Sequence, residues 1–446
     1  MAAGLINRAV ITGGTLLGVS VIALALWQNV SKRRSLQQDP LKTLQTHPDY
    51  APALIAANAV KLAAYSTAEN RRDISEGKLV FSEDDADAVK LKAKQAFAKA
   101  PLNVKAITQI ATADFLRTLN WQDRKTLMLA KSRNARDRKT LMALSYIDMR
   151  GGNFEALLET LDLRHRLGNL TSGDLQVIQS LSTLPDQRGL IEEKMAGAPS
   201  WGEDYFRFVI PNWDAEDIQN NRQSLFIFLG AQDDAFVHKT LIRFYFAQLK
   251  RLGLYEAALE DWSALPEVKA SGAKTRPLYN PNFDFLTAPE PFNWRTYDPS
   301  LALAEIETTG GLYASSNAPK RALIAQQLTT APTGQALKAK MKGRWQYRQQ
   351  QGYFFWRLSC MPARQPFFDI IIGDDSREKG ELSFDIPPLP QGCEFQDLQL
   401  YAEPGGFNQR VSMRAESMDI VPRTMTEADR AVLEASDAPQ KTQGRP

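Results

Sequence analysis

The feature that most constrains this chain is an uncharged, largely apolar run near its N-terminus. From Val10 to Val30 the sequence contains no Asp, Glu, Lys or Arg, and the run ends at Trp27 and a basic cluster that begins at Lys32. About 20 apolar residues are the length at which an α-helix crosses a bilayer, and Trp and basic residues are common at its ends. The run therefore predicts a transmembrane anchor at residues 10–30, in contact with lipid and preceded by a short tail at 1–9.

Two properties of this anchor have alternative interpretations: whether it is cleaved, and on which side of the membrane the rest of the chain lies. Ala23 and Ala25 form a small-residue pair after an apolar run, which is also the pattern of a cleaved signal peptide. The anchor is favoured because the apolar run continues to Trp27. The basic cluster after the run, set against Arg8 before it, favours a cytoplasmic body by the positive-inside rule.

Length and charge limit the possible functions. The chain has 446 residues, 43% of them hydrophobic, so it is long enough for two or three domains with buried cores. Its formal net charge is only +3, and no basic stripe is interleaved with aromatic residues. The composition therefore argues against nucleic acid as a partner.

Residues 31–271 show helical periodicity and two internal repeats. In the first repeat a proline precedes a helix whose apolar residues recur at helical spacing. Its two copies contain Pro48, Ala53 and Leu54, and Pro101, Ala106 and Ile107. This pattern predicts a repeated structural unit.

The second repeat covers a turn between two helices. Glycine ends the first helix, an aromatic residue packs in the turn, and alanine allows the second helix to approach closely. Its two copies are Gly152, Phe154 and Ala156, and Gly253, Tyr255 and Ala257. The pattern predicts a helical hairpin at each place.

On these residues the region 31–271 resembles a solenoid of degenerate tetratricopeptide-type repeats, with the similarity strongest from Asp39 to Trp262. The aromatic-to-alanine interval is one residue shorter than is usual, and the copies do not recur at a regular period near 34 residues. The resemblance implies a long surface that binds other proteins. The alternative is a helical spacer. The aromatic cluster Phe244, Tyr245 and Phe246 is interpreted as core rather than as a binding stripe.

The sequence changes character near residue 272. Residues 272–290 are rich in Pro, Asn and Gly and predict a linker. Short alternating segments follow, which predict an antiparallel β-sandwich at 291–421. Residues 422–446 predict a flexible tail that contains a helix-compatible piece at 426–435 and could fold on a partner. The predicted strands are 292–297, 301–308, 321–330, 336–343, 353–360, 366–373, 381–387, 397–403 and 410–421.

The stretch "LIAQQLTTAPTGQALKAKMKG" in this region is similar to the central hairpin of jelly-roll carbohydrate-binding modules. Together with the solenoid and the anchor, the layout resembles membrane-anchored repeat proteins of alphaproteobacterial envelopes. The resemblance implies that exposed aromatic rings could stack on a polysaccharide. The candidates are Trp294, Trp345, Tyr347 and Tyr353, and the alternative is that most of these aromatic residues fill the sandwich core. Trp356, within an apolar strand, is interpreted as core.

Cys360 and Cys393 are the only cysteines, and both lie in strand-like segments. If these segments are neighbours or face each other, the two thiols could form a disulfide that closes a loop of about 33 residues. A disulfide favours an oxidising compartment and therefore a periplasmic or extracellular body. The alternative is two buried free thiols in a cytosolic protein.

The sequence gives little sign of catalysis. His47, His165 and His238 have no metal-binding spacing, and no phosphate-binding or nucleophile motif occurs. The acidic pairs Asp233–Asp234 and Asp374–Asp375 could supply two glycosidase carboxylates, but a helix start and a turn are the favoured interpretations. We expect no enzyme activity, no cofactor and no metal.

These inferences describe a multidomain α + β protein with a single transmembrane helix, a TPR-like solenoid and a jelly-roll-like antiparallel β-sandwich. The favoured hypothesis is a scaffold on the inner membrane that binds protein partners in an envelope assembly, such as one for polysaccharide synthesis or export. The alternative hypothesis is a glycan-binding protein that uses the β-sandwich.

Overall fold

The computed structural model describes residues 31–64, 82–118, 124–270, 277–284, 288–299, 301–346, 352–372, 379–404 and 410–437. Within these ranges no helix is both long and apolar enough to cross a membrane. The predicted anchor at 10–30 and the tail at 1–9 lie outside them. The protein is a multidomain chain of helices followed by two antiparallel sheets.

Helical backbone covers residues 31–38 and continues in a series of helices. The helices are α1 (Pro40–Thr46), α2 (Ala51–Ala64), α3 (Glu83–Lys99), α4 (Val104–Thr118), α5 (Arg124–Arg133), α6 (Arg138–Arg150), α7 (Phe154–Arg166), α8 (Ser172–Thr183), α9 (Pro185–Ala196), α10 (Gly202–Val209), α11 (Ala215–Ala231), α12 (Ala235–Leu252), α13 (Tyr255–Ala264), α14 (Pro266–Ala270) and α15 (Glu427–Asp437).

The strands lie between α14 and α15. They are β1 (Arg295–Thr296), β2 (Ala302–Ile306), β3 (Leu312–Ser316), β4 (Ala322–Thr329), β5 (Leu337–Gln346), β6 (Gly352–Cys360), β7 (Gln365–Ile372), β8 (Lys379–Ile386), β9 (Gln396–Pro404) and β10 (Val411–Pro422). Nine of these match predicted segments. β3 was missed by the sequence analysis.

The chain divides into two compact units. Unit 1 is Met1–Leu190 with Pro199–Trp201, and unit 2 is Ile191–Ala198 with Gly202–Pro446. The division lies within the helical region, whereas the change from helices to strands lies between Ala270 and Arg295. Helices α10 to α14 therefore belong to the same compact unit as the sheets.

In unit 1 the helices α1 to α7 pack mainly on their neighbours in the chain, as α2 does on α3 and α3 on α4. Three turns between helices share one hydrogen-bond pattern. In each turn, the N–H of the residue that follows the first helix donates to the carbonyl four residues earlier. The N–H three residues after that residue then donates to its carbonyl. The residues that follow the first helix are His47, Ala100 and Asn134.

The three turns also place equivalent side chains in the core. Ala53, Ala106 and Thr140 occupy the same position after their turns, and each is fully buried. The proline-led repeat is therefore repeated in local structure. The copy at Asn134 was missed because no proline follows it, yet it lies 34 residues after Ala100.

The glycine turns are confirmed as helix-to-helix turns. Gly152 and Gly253 adopt φ values of +70° and +76°, a left-handed conformation that favours glycine. In each turn the next residue donates its N–H to the carbonyl five positions back, as Asn153 does to Asp148 at 2.8 Å. The glycines are needed for their backbone conformation, since a Cβ on Gly152 would contact nothing within 4 Å.

The side chains after the two glycines differ from the predicted wedge. Phe154 is only half-buried, whereas Tyr255 is buried and its ring lies 5.5 Å from that of Phe395. Ala156 and Ala257 are half-buried. The two turns therefore share a backbone geometry, and their side chains pack according to different surroundings.

The sheets of unit 2 form a β-sandwich. Sheet A has the strand order β1-β4-β9-β6-β7, sheet B has β2-β3-β10-β5-β8, and the described pairs are antiparallel. Their apolar faces form one core. The indole N–H of Trp356 in sheet A donates to the sulfur of Met341 in sheet B at 3.4 Å, which shows directly that the two sheets face each other.

The predicted central hairpin at 323–343 is wrong. β4 lies in sheet A and β5 lies in sheet B, so the connection through Pro332 and Gly334 crosses from one sheet to the other. Ala331 is held at this crossing because its N–H donates to the side-chain oxygen of Gln396 at 2.8 Å. A proline and glycine turn is compatible with either connection, and the sequence alone does not distinguish them.

Two segments predicted to be loosely held are packed instead. Within the predicted linker at 272–290, Leu278 and Phe283 are fully buried in the sandwich core. Within the predicted tail at 422–446, residues Glu427–Asp437 form α15, and the Arg423 guanidinium pairs with the Asp429 carboxylate through two hydrogen bonds. Residues 438–446 lie outside the described ranges.

Candidate ligand-binding groove

The aromatic residues predicted for glycan stacking do not form an exposed platform. Trp294 and Trp345 are 6% and 2% exposed and belong to the sandwich core. Tyr353 is half-buried, and Tyr347 lies outside the described residues. Trp356, interpreted as core, is fully buried as expected.

Strand alternation explains the positions of Trp345 and Tyr353. In β5, Ala339, Met341 and Trp345 all point into the core because they lie an even number of residues apart. In β6, Tyr353 lies in the opposite phase to the buried Trp356. The alternation was visible in the sequence and could have placed Trp345 inside.

The predicted disulfide between Cys360 and Cys393 is confirmed. The two Cα atoms are 5.1 Å apart, and the bond links the last residue of β6 to the segment before β9. The described part of the chain contains no free cysteine. The bond joins two segments whose strands are already neighbours in sheet A.

A groove in unit 2 lies between α12 and the outer face of sheet A. Its volume is about 980 Å³. One wall is a stripe along α12 at helical spacing: Phe236, Lys239, Thr240, Arg243, Phe244, Ala247, Lys250 and Arg251. The opposite side is formed by residues of the strands and their connections: Arg295, Leu323, Gln326, Arg364, Asp397 and Gln399.

The aromatic cluster Phe244, Tyr245 and Phe246 lies in this wall. Tyr245 and Phe246 are buried, as the core interpretation predicted. Burial raises the pKa of Tyr245, whose hydroxyl donates to Asp261 at 2.5 Å. Phe244, by contrast, is 38% exposed, and it lines the groove together with the buried Phe246. The groove itself was missed because it requires α12 to lie against a sheet that is distant in sequence.

Positive charge dominates the lining of the groove. Glu290 and Asp397 are its two carboxylates. They are outnumbered by six basic side chains: Lys239, Arg243, Lys250, Arg251, Arg295 and Arg364. A ligand in this groove would therefore be favoured electrostatically if it carried negative charge.

Asp397 is the most buried charged residue of the groove, with a side chain that is only 5% exposed. One of its oxygens lies 3.4 Å from the Lys250 ammonium and accepts a hydrogen bond from Gln399 at 3.2 Å. The other oxygen, Oδ1, has no hydrogen-bond partner among the described residues. Burial raises the pKa of Asp397, and the nearby Lys250 charge opposes that shift.

An aromatic and guanidinium cluster continues the outer face of sheet A. The rings of Phe355 and Tyr401 stack with centroids 5.2 Å apart. Arg357 lies 5.4 Å from the Phe355 centroid and pairs with Asp369 through two hydrogen bonds. Arg321 covers the same ring at 5.2 Å. This cluster is internally paired, so its charges are less available to a ligand than those of the groove.

The described residues contain no cluster of three or more His, Cys, Asp or Glu that could hold a metal ion. Asp234, one of the acidic residues considered for catalysis, caps α12 by accepting the N–H of Phe236 at 2.8 Å. Asp374 and Asp375 lie outside the described ranges.

No family model matches the sequence, and no curated protein matches it. Among solved structures, one similar chain is an arabinose-bound GH51 α-L-arabinofuranosidase, with TM-score 0.26 and 12% identity over 36% of this chain and 28% of that chain. A second is tailspike protein 4 of bacteriophage CBA120, with TM-score 0.23 and 9% identity over 33% of this chain and 21% of that chain.

A third is a structure of accessory secretory proteins 1, 2 and 3 of Streptococcus pneumoniae, with TM-score 0.20 and 7% identity over 29% of this chain and 90% of that chain. This chain therefore spans less than a third of the first two chains. At these similarities none of the three indicates a fold or a function for this protein.

Proposed function

We propose that this protein is a membrane-anchored, non-enzymatic scaffold of a cell-envelope assembly, and that it binds protein partners through the helices of unit 1. The observation that carries the proposal is the repeated turn at His47, Ala100 and Asn134. Stacked helical hairpins leave an extended surface whose exposed residues are free to vary, and such surfaces commonly bind proteins.

A degenerate TPR-like solenoid is the architecture that we propose for unit 1. The 34-residue interval between the turns at Ala100 and Asn134 supports it, since that is the period of tetratricopeptide repeats. The interval between the turns at His47 and Ala100 is longer, at 53 residues, and departs from that period. The packing of the helices α1 to α7 mainly on their chain neighbours also supports a repeat array.

The anchor at 10–30 and a periplasmic body belong to the same proposal. The disulfide between Cys360 and Cys393 supports an oxidising compartment for unit 2, because disulfides persist there and are rare in the cytosol. A single-pass protein of the inner membrane, with its helices and sandwich in the periplasm, satisfies both features. A polysaccharide synthesis or export system is a setting in which such a scaffold would act.

We further propose that the sandwich is a jelly roll. Strands β3 to β10 support this, because they follow the orders β4-β9-β6-β7 and β3-β10-β5-β8, and most connections cross from one sheet to the other. The glycan-binding alternative requires a site other than Trp294 and Trp345, since both are buried.

Leu91 offers a test of the scaffold. It is 60% exposed and shares one shallow surface of α3 with Asp87 and Lys94. A photo-crosslinking residue at position 91 of the full chain should capture a partner in intact cells. Purified partner should then bind the Leu91→Asp protein at least about tenfold more weakly than the wild type. A leucine side chain that becomes buried when the partner binds contributes about 1.5–3 kcal/mol to the binding free energy.

Leu102→Asp is the matched control. Leu102 is 77% exposed but lies in the turn between α3 and α4. We expect this substitution to leave partner binding unchanged. No specific cross-link from position 91, or equal binding of wild type and Leu91→Asp, would contradict binding at this surface of unit 1.

A further inference from the structure

We propose that the groove between α12 and sheet A binds an acidic polysaccharide, an extended ligand that carries both carboxylates and hydroxyl groups. This inference goes beyond the scaffold function. It rests on the contacts of unit 2 alone, so it can succeed or fail independently of partner binding by unit 1.

The groove has a surplus of cations. Arg243 and Arg295 share the same carboxylate, that of Glu290, at 4.0 and 3.4 Å. Lys239 has no carboxylate within ion-pair distance among the described residues and points into the groove from an exposed position. Carboxylates on a ligand would pair with these side chains, and Arg favours them because its planar group can donate two parallel hydrogen bonds.

The site is long. The lining stripe runs from Phe236 to Arg251, which at 1.5 Å per residue is about 22 Å along α12. Basic residues occur from one end of this stripe to the other. A single small anion would contact only part of it, whereas an oligomer with a charge on each unit would contact all of it.

The groove contains a buried acceptor that lacks a hydrogen-bond donor. Asp397 Oδ1 is buried without a partner among the described residues, and an unpaired buried acceptor is unfavourable. Gln326, on the same side of the groove, presents a donor and an acceptor, whereas the Gln399 amide already donates to Asp397 and accepts from the Tyr401 hydroxyl. Sugar hydroxyls supply both kinds of hydrogen bond on every residue of the polymer, next to its carboxylates.

Two exposed aromatic rings line the groove. Phe236 is 69% exposed and Phe244 is 38% exposed, and both line the groove. They are eight residues apart, or about 12 Å along the helix axis. Rings at this spacing could pack against the apolar faces of two sugars in a chain while the basic side chains between them pair with carboxylates.

The test is calorimetric titration of the full chain with a size-defined oligogalacturonate. The methyl ester of the same oligomer keeps the hydroxyls and removes the charge, and oligoglutamate of equal charge keeps the carboxylates and removes the hydroxyls. We expect the oligogalacturonate to bind at least tenfold more tightly than either, with an affinity that falls as salt concentration rises.

The variant Lys239→Glu/Arg243→Glu reverses two exposed charges of the groove and should weaken oligogalacturonate binding about tenfold or more. Lys340→Glu is the matched control, because Lys340 is exposed on sheet B of the same unit. Thermal unfolding of each variant checks that the fold is intact, and surface changes of this kind should alter stability by no more than about 0.5 kcal/mol.

Three results would overturn the proposal: no binding of the oligogalacturonate, equal binding of its methyl ester, or an equal loss of affinity in Lys340→Glu. Equal or tighter binding of oligoglutamate would identify the groove as a site for acidic peptides instead. None of these results bears on cross-linking from position 91, so the two proposals are tested separately.

Discussion

The core of the sandwich and the groove outside it both contain large aromatic residues, but these residues have different surroundings. Trp345 and Trp356 lie between the sheets with 2% exposure or less. Phe236 and Phe244 project from α12 beside basic side chains and remain exposed. The comparison teaches that an aromatic residue indicates a binding site only when its phase on a strand or helix points it away from the core.

The largest effect that this comparison predicts is the loss of a core tryptophan. Trp356→Ala should reduce the free energy of unfolding by about 3–5 kcal/mol, because it removes a fully buried ring and leaves a cavity between the sheets. Chemical denaturation followed by circular dichroism measures the change.

Tyr353→Ala is the control for this substitution. Tyr353 lies in the same strand in the opposite phase and is half-buried. Its loss should cost clearly less, about 1 kcal/mol, as for a typical substitution outside the core. Equal destabilisation by the two substitutions would show that the two faces of sheet A do not differ as described.

The next effect concerns the disulfide at the end of β6. The variant Cys360→Ser/Cys393→Ser should lose about 3–4 kcal/mol of stability, since the bond restricts a loop of 33 residues in the unfolded chain. The same loss should follow treatment of the wild type with a reductant, measured by thermal unfolding. The variant itself should not respond to reductant, and an equal response in both proteins would contradict this assignment.

The smallest effect is the pH dependence that Asp397 gives to the groove. Burial raises the pKa of its carboxyl in the folded protein above the unfolded value of about 3.9. The folded state therefore holds the proton more tightly. The contribution of Asp397 to stability is fully present below about pH 3.9 and is lost as pH rises through the raised folded pKa, with a slope of at most about 1.4 kcal/mol per pH unit.

Denaturation of wild type and Asp397→Asn from acidic to neutral pH isolates this effect. The free energy of unfolding of the wild type relative to that of the variant should fall as pH rises from about 3.9 through the raised pKa of Asp397. Lys250→Met should move this fall in stability to higher pH, because the Lys250 charge lowers the pKa of Asp397. A difference between wild type and variant that rises with pH would contradict the sign derived from burial.

Much of the sandwich could be predicted from its sequence. Alternation and turn residues located nine strands, since an apolar residue at every second position is the direct consequence of packing one face of a sheet. β3 was missed because "LYASS" is short and ends in small residues, so its alternation is weak. Its place beside β10 depends on contacts distant in sequence.

The helical turns were also predictable, because their geometry is set by a few adjacent residues. Gly152 and Gly253 end helices with a positive φ, which glycine adopts without steric cost. The groove was not predictable in this way. It depends on α12 lying beside Asp397, which follows it by about 150 positions and belongs to a different kind of element.

The position of β10 in sheet B has a consequence for the order of events during synthesis. β10 lies between β3 and β5, and it is the last strand of the chain to be made among those described. Until Val411–Pro422 has left the ribosome, β2 and β3 have no connection through hydrogen bonds to β5 and β8. The helical hairpins of unit 1 close through local contacts and can form much earlier. A chain interrupted before Val411 would therefore carry folded hairpins and an open sandwich, whose apolar faces would make it a target for proteases and chaperones.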